Sequence, residues 1–263
     1  MTLVMGIVNV TPDSFSDGGR FLDPDVAIAH ARHLHEQGAD ILDVGGESTR
    51  PGAERVAPRV EQQRVLPVVE ALASEGLIVS IDTMNASTAR AAVAAGAALV
   101  NDVSGGLADA EMLSAVAETD ADIALGHWRG PSSEMYARAD YGDVTAEVTA
   151  ELGERIARAE AAGISRARIV VDPGIGFGKR GAQNWQTLRG LPRVVDLGCR
   201  VLVGTSRKRF LGEAIGEDAD LTRRDLATAV TSVLAFRAGA WAVRVHDIPT
   251  TRDALAVARA WEA

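Results

Sequence analysis

Asp82, Asp172, Asn101 and Lys208 each stand where a short apolar run gives way to a polar segment. Together they make a recognition set for a flat, hydrogen-bond-rich heterocycle. Carboxylates accept from a ring amidine edge, the amide both donates and accepts, and the ammonium donates to a ring oxygen or nitrogen. The alternative is structural: the two acids could serve only to satisfy loop backbone donors, although buried acids are costly unless partnered. Further along, Ser206-Arg207-Lys208-Arg209 is followed by Arg244 and His246, a cationic corner suited to an anionic leaving group. Lys208 also raises the possibility of a Schiff-base nucleophile, with Arg207 and Arg209 lowering its pKa. A carbonyl electrophile does not require so much positive charge, whereas a departing anion does.

Two other patterns carry less. Gly176-Phe177-Gly178-Lys179-Arg180-Gly181 matches the dinucleotide fingerprint G-x-G-x-x-G, with Asp196 twenty positions after Gly176. The fit is superficial, because Pro173, Gly174 and Ile175 separate the glycines from the preceding strand and Asp196 precedes the next one. The stretch also fails as a P-loop, since Pro173 holds the first glycine position and Arg180 replaces the hydroxyl residue. His33 and His35 fall inside a helical pattern, where residues two apart face different directions, so they read as a solvated face rather than a metal pair. No H-E-x-x-H or C-x-x-C occurs, which argues against structural zinc.

The elements that must position these groups recur along the chain. Strand candidates are Leu3–Val10, Ile41–Gly45, Ile78–Asp82, Ala98–Val103, Asp122–His127, Ile169–Asp172, Val201–Gly204 and Ala242–His246. Between them lie helix candidates Asp25–Gln37, Pro58–Ser74, Ser87–Ala95, Ala110–Thr119, Asp143–Ala162, Asn184–Arg189, Thr222–Ala238 and Thr250–Trp261. Gly38, Gly76, Gly96, Gly163 and Gly239 mark helix ends before the next strand. Eight such units predict an α/β fold, a (β/α)8 TIM barrel in a single domain over residues 1–263. The rival is a doubly wound open sheet, which would splay the polar strand ends along its edge. A barrel gathers Asn9, Asp43, Asp82, Asn101, His127, Asp172, Ser206 and Arg244 at one mouth, with the phosphate-holding loops after the seventh and eighth strands. The longer loops Thr11–Pro24, Glu47–Ala57 and Trp128–Gly142 lie on that side, where lids occur.

Composition bounds the function. The 263 residues are 47% hydrophobic and 24% charged, an ordinary globular balance. A net charge of −9 and only 4% aromatics argue against nucleic acid or anionic membrane as a partner. The longest apolar stretch, Ala91 to Val100, falls short of the about 20 residues a bilayer needs. The opening MTLVMGIVNV lacks the basic lead of a signal peptide, and the lone Cys199 excludes an internal disulfide; both point to a cytoplasmic protein.

Two segments carry a specific likeness. Met5-Gly6-Ile7-Val8-Asn9-Val10-Thr11-Pro12-Asp13-Ser14-Phe15-Ser16-Asp17-Gly18-Gly19 and Asp43-Val44-Gly45-Gly46-Glu47-Ser48-Thr49-Arg50-Pro51-Gly52 closely resemble the signatures of the dihydropteroate synthase family. Ser80–Thr83, Asn101–Gly106, Asp172–Lys179, Ser206–Lys208 and Arg244–Asp247 follow in the family's order, so the likeness covers essentially the whole chain. The resemblance implies a barrel, commonly homodimeric, that joins 6-hydroxymethyl-7,8-dihydropterin diphosphate to 4-aminobenzoate with Mg²⁺ on the diphosphate. It implies that Asp82, Asn101, Asp172 and Lys208 hold the pterin, with Arg244 lying against its ring while reaching the diphosphate. Asn9, Arg244 and His246 would bind the diphosphate, Asn9 through Mg²⁺. Phe15, Thr49, Arg50, Pro51, Phe177 and Ser206 would frame the aminobenzoate pocket, and Asp17 would order the first loop. Two departures stand out: Gly126, where relatives often carry Met, implies a roomier pterin floor, and Arg209, where several carry a small hydroxyl residue, implies altered carboxylate recognition.

On this reading the chemistry is an SN1-like cleavage of the C–O bond to diphosphate, with cationic groups stabilising the leaving group and the first two loops excluding water. A pterin-binding methyltransferase barrel would share the acids and Asn101 but need neither the diphosphate corner nor the Ser48–Pro51 loop. A binding module that had lost catalysis should have lost its loop or lysine signatures, and Thr49, Arg50, Phe177 and Lys208 all stand.

Overall fold

The computed structural model describes residues 2–11, 23–48, 55–131, 136 and 139–263. Eight parallel strands close into a barrel in chain order: β1 (Leu3–Asn9), β2 (Ile41–Gly45), β3 (Val79–Asp82), β4 (Leu99–Asp102), β5 (Asp122–Gly126), β6 (Ile169–Asp172), β7 (Arg200–Val203) and β8 (Ala242–Val245). Among the described residues, an α-helix follows each of the first five strands: α1 (Pro24–Glu36), α2 (Pro58–Ser74), α3 (Ala86–Ala94), α4 (Met112–Ala117) and α5 (Val144–Ala161), the last trailed by a short 3-10 turn over Arg166–Arg168. Two follow β6, α6 (Gly181–Arg189) and α7 (Leu191–Val195), two follow β7, α8 (Arg209–Ile215) and α9 (Leu221–Arg237), and α10 (Ile248–Glu262) ends the chain.

Local chemistry sets these boundaries. Asp23, Asp143, Asp220 and Asp247 accept first-turn N–H groups of α1, α5, α9 and α10 at 2.8–3.0 Å, satisfying donors that have no partner inside the helix. At the other end, Gly96 adopts φ +107° as the chain turns from α3 into β4, a conformation that a Cβ would oppose. Left-handed glycines follow α1, α2, α5 and α9 in the same way, as the sequence predicts.

Alternation along each strand divides the core in two. Met5, Ile41, Leu99, Ala124, Val170, Leu202 and Ala242 point inward and fill the barrel as an apolar plug. Leu42, Val44, Val79, Ile81, Val100, Ile123, Val171 and Val243 belong to the larger cluster between barrel and helices. Inward positions nearer the strand ends turn polar, so the plug becomes the floor of a polar mouth. No helix among the described residues is long and apolar enough to cross a membrane.

Two helices were not foreseen. α7 has five residues and α8 seven, too short to show a helical period. Gly190 lies between α6 and α7, and glycine is required there because a Cβ would lie 2.1 Å from Thr145 Cγ2.

Candidate active site

Arg244, inward-facing on β8, ties the mouth together. Its Nε donates to Asp43 Oδ2 at 2.5 Å and its Nη2 donates to Asp82 Oδ2 at 2.8 Å. Asn101 Nδ2 donates to the same Asp43 oxygen at 3.0 Å. Strand register produces this set: Asp43 sits beside Ser80, and Asp82 beside both Gly45 and Asn101. On the other side, Asp172 ends β6 and accepts the Gly174 N–H at 2.7 Å, so the structural role considered for this acid is real and accompanies its place in the mouth. Lys208 reaches back over the same turn, where its Nζ donates to the Ile175 carbonyl and lies 4.5 Å from the centre of the Phe177 ring. Ser206 Oγ lies 2.8 Å from His246 Nδ1 and accepts the His246 N–H at 3.1 Å, joining the ends of β7 and β8.

These groups share a cavity of about 1490 Å³, lined by Asn9, Asp82, Asn101, Phe177, Ser206 and His246 together with Asp172, Lys208 and Arg244. Nine of the predicted site residues therefore meet at one mouth. Phe15, Asp17, Thr49, Arg50 and Pro51 lie outside the described residues.

Burial dominates the electrostatics. It pushes the Asp82 carboxyl up to about 7, against the pull of Arg244 and with help from Asp43. Burial raises Asp172 as well, opposed chiefly by the Lys208 ammonium. The Lys208 ammonium is lowered to about 8 by burial; Asp172 opposes that shift and Arg244 adds to it. Here the structure corrects the expectation that Arg207 and Arg209 depress Lys208. Arg207 is held by Asp225 through two hydrogen bonds of 2.7 and 2.8 Å, and Arg209 Nε pairs with Glu213 at 3.1 Å on an exposed rim. Arg207 and Arg209 still line the cavity wall, but each is paired with its own carboxylate, so Lys208 and Arg244 are the cations beside Asp172 and Asp82, with His246 lining the same cavity.

Other expectations resolve on geometry. A Cβ on Gly176 (φ +82°) would lie 2.7 Å from Lys208 Cδ, so this glycine of the apparent fingerprint makes room for the lysine. Gly126 does not open a roomier floor at its own Cβ position, because a Cβ there would meet the Val103 carbonyl oxygen at 2.5 Å. His33 and His35 belong to α1, with His33 near Gln37 and His35 Nδ1 3.2 Å from the Ala39 carbonyl.

Asp43, expected at the mouth, is in addition the direct partner of Arg244 and Asn101, and Lys179 joins the site with no such expectation. Asp43 carried a usable signal: it alternates with Ile41 and Gly45 on the inward face of β2, between Leu42 and Val44, which face the helices. Lys179 carried none beyond its presence in a signature, yet it is only 1% exposed.

Comparison with known proteins agrees with the geometry. Residues 5–246 match the pterin binding enzyme family. The chain is similar to the dihydropteroate synthase of Mycobacterium leprae, with 51% identity over 98% of this chain and 93% of the relative. Among solved structures, Xanthomonas albilineans dihydropteroate synthase with 4-aminobenzoic acid superposes with a TM-score of 0.92 at 47% identity, covering 100% of this chain and 93% of that one. The same enzyme in complex with 7,8-dihydropteroate gives a TM-score of 0.88 at 45% identity, covering 100% and 94%. A closed eight-stranded barrel whose mouth brings Asp82, Asn101, Asp172, Lys208 and Arg244 together, matched over nearly its full length, belongs to the dihydropteroate synthase family of pterin-binding enzymes.

Proposed function

We propose that this chain condenses 6-hydroxymethyl-7,8-dihydropterin diphosphate with 4-aminobenzoate, giving 7,8-dihydropteroate and diphosphate. The observation that carries the reading is the make-up of the mouth: Asp82, Asn101, Asp172 and Lys208, a donor and acceptor set for a heterocycle edge, line one cavity with Arg244 and His246, which can take an anion. Asp82, Asn101, Asp172 and Lys208 hold the pterin by its hydrogen-bonding edge. Arg244 spends two of its N–H donors on Asp43 and Asp82, and its remaining donors serve the ring and the diphosphate. Phe177 and Ser206, with Phe15, Thr49, Arg50 and Pro51, frame the aminobenzoate, while Asp17 orders the first loop.

The difficult event is heterolysis of the C–O bond, because the arylamine is too weak a nucleophile to drive displacement. The dihydropterin stabilises positive charge on its exocyclic methylene, and the carboxylates of Asp82 and Asp172 favour that cation. Arg244 and His246 stabilise the charge growing on the departing diphosphate. After the amine attacks, the proton leaves a strongly acidic anilinium, so no strong general base is needed. Asn9 supplies a hard oxygen donor at the end of β1, which fits Mg²⁺ held by one protein oxygen together with substrate phosphate and water. Bound there, Mg²⁺ would neutralise diphosphate charge.

We also propose a homodimer and a cytoplasmic setting. Leu226, Val230 and Leu234 recur every four residues along α9 with 53–59% exposure, and Val257 and Trp261 extend the apolar face on α10, at 70% and 84%. A second copy covering this face removes it from water.

The test is a coupled assay of diphosphate release. Release must require both substrates and match 7,8-dihydropteroate one for one; release indifferent to 4-aminobenzoate, or none at all, contradicts the reading.

A further inference from the structure

The turn after β6 is intrinsically loose. Gly174, Gly176 and Gly178 all adopt positive φ, at +65°, +82° and +59°, so the segment loses much conformational entropy when fixed. Yet it carries Phe177 and supplies the carbonyl that anchors Lys208. Its support comes from beneath. Lys179 Nζ donates to the Gly174 carbonyl at 2.9 Å and the Phe177 carbonyl at 3.2 Å, and lies 3.0 Å from His127 Nδ1. An ammonium has three donors and no acceptor, so these three partners account for its full capacity and assign the lone pair of His127 to Nδ1. The opposite ring nitrogen, Nε2, then carries the hydrogen and faces Glu151 Oε2 at 3.0 Å. Arg129 Nε in turn holds Glu151 at 3.0 Å.

The charge state of His127 fits this assignment, and Asp172 works against burial to keep Lys179 an ammonium. Burial, reinforced by Lys179, lowers His127 to about 3, so the imidazole is neutral and free to accept. Burial also depresses Lys179 well below the ordinary lysine range, with Asp172 the strongest opposing group. A fully buried amine is a costly way to brace a turn unless the turn must be held in one conformation.

We propose that Lys179 is a positioning residue for the second substrate: by gripping the Gly174 and Phe177 carbonyls from below, it sets the Phe177 ring as a wall of the aminobenzoate pocket. The inference rests on the proposed function, and acts through Phe177 rather than by contact with either substrate. Lys208 and Asp172 touch the same turn, at the Ile175 carbonyl and the Gly174 N–H, but Asp172 belongs to β6 and Lys208 to the turn after β7, whereas Phe177 is carried by the braced turn itself, so the pterin arc is affected less.

A double-mutant cycle with Lys179→Met and Phe177→Ala in the full-length enzyme tests this. Lys179→Met should raise the KM for 4-aminobenzoate by about tenfold or more, with kcat and the KM for the pterin diphosphate changing by less than about threefold. In the Phe177→Ala background the same substitution should change the 4-aminobenzoate KM by less than about twofold. Equal factors in both backgrounds, or parallel rises in both KM values, overturn the proposal. Should Lys179→Met fail to fold, His127→Asn carries the same cycle, because it shortens the acceptor away from the ammonium. A parent without activity overturns the functional reading and this proposal together; an active parent with additive factors overturns this proposal alone.

Discussion

The two arcs of the mouth are built in opposite ways. On β2, β3 and β4, Asp43, Asp82 and Asn101 are fixed by strand register and bound to Arg244 or to one another. On the β6 and β7 side, Phe177 and Lys208 sit on turns, held by carbonyls and a buried lysine. The first arc makes stability and recognition a single property, since its polar groups satisfy each other at the top of the apolar plug. The second separates them, because turns rich in left-handed glycine can be disturbed without opening the barrel.

Arg244→Ala should strike both properties at once. It leaves Asp43 and Asp82 as buried, unpaired acids, a cost of about 3–5 kcal/mol in stability, and removes charge stabilisation worth about a thousandfold in kcat/KM. Thermal unfolding and steady-state kinetics on one preparation check this; loss of activity at unchanged Tm would break the claimed unity of the strand arc. Asn9→Ala and His246→Ala come next, lowering kcat by about a hundredfold while weakening binding of the pterin portion much less. Parent-like kcat at saturating Mg²⁺ would refute that assignment.

Gly176→Ala probes the turn arc. The new methyl meets Lys208 Cδ at 2.7 Å in a left-handed residue, so the expected result is about a tenfold fall in kcat/KM with only about 1–2 kcal/mol lost from the fold. A collapse in stability comparable to that of Arg244→Ala would erase the contrast between the arcs.

The mildest test is pH. The ionised form of Asp82 grows as pH rises through about 7, and the Lys208 ammonium is lost as pH rises through about 8. kcat/KM, which reports the free enzyme, should therefore form a narrow bell between these limits. Asp82→Asn should remove the acid limb and, because the Asp82 charge helps hold the Lys208 ammonium up, move the alkaline limb to lower pH. A profile flat from pH 6 to 9 would detach both groups from catalysis.

How legible each arc was follows from the same difference. The barrel and the inward acids could be read from alternation, because strand register carries position directly from sequence to space. Asp82, Asn101, Arg244 and Asp43 are legible from their position where the strands finish, and parity along each strand adds that they face inward. Turn-borne groups have no such periodicity. Nothing local distinguishes Arg207, turned at φ +56° and held by Asp225 at the cavity wall, from its neighbour Lys208, which reaches back over the β6 turn. Lys179 is opaque for the same reason: its partners, Gly174, Phe177 and His127, come together only when β5 and β6 pair. α7 and α8 escaped notice because five and seven residues do not complete a readable pattern.

The most direct measurement is calorimetric titration of the parent, Asp172→Asn and His246→Ala with the bare 6-hydroxymethyl-dihydropterin and with its diphosphate. The account predicts that Asp172→Asn loses both ligands, whereas His246→Ala keeps the bare pterin and loses only the extra affinity conferred by the diphosphate. Undiminished pterin binding by Asp172→Asn would contradict it.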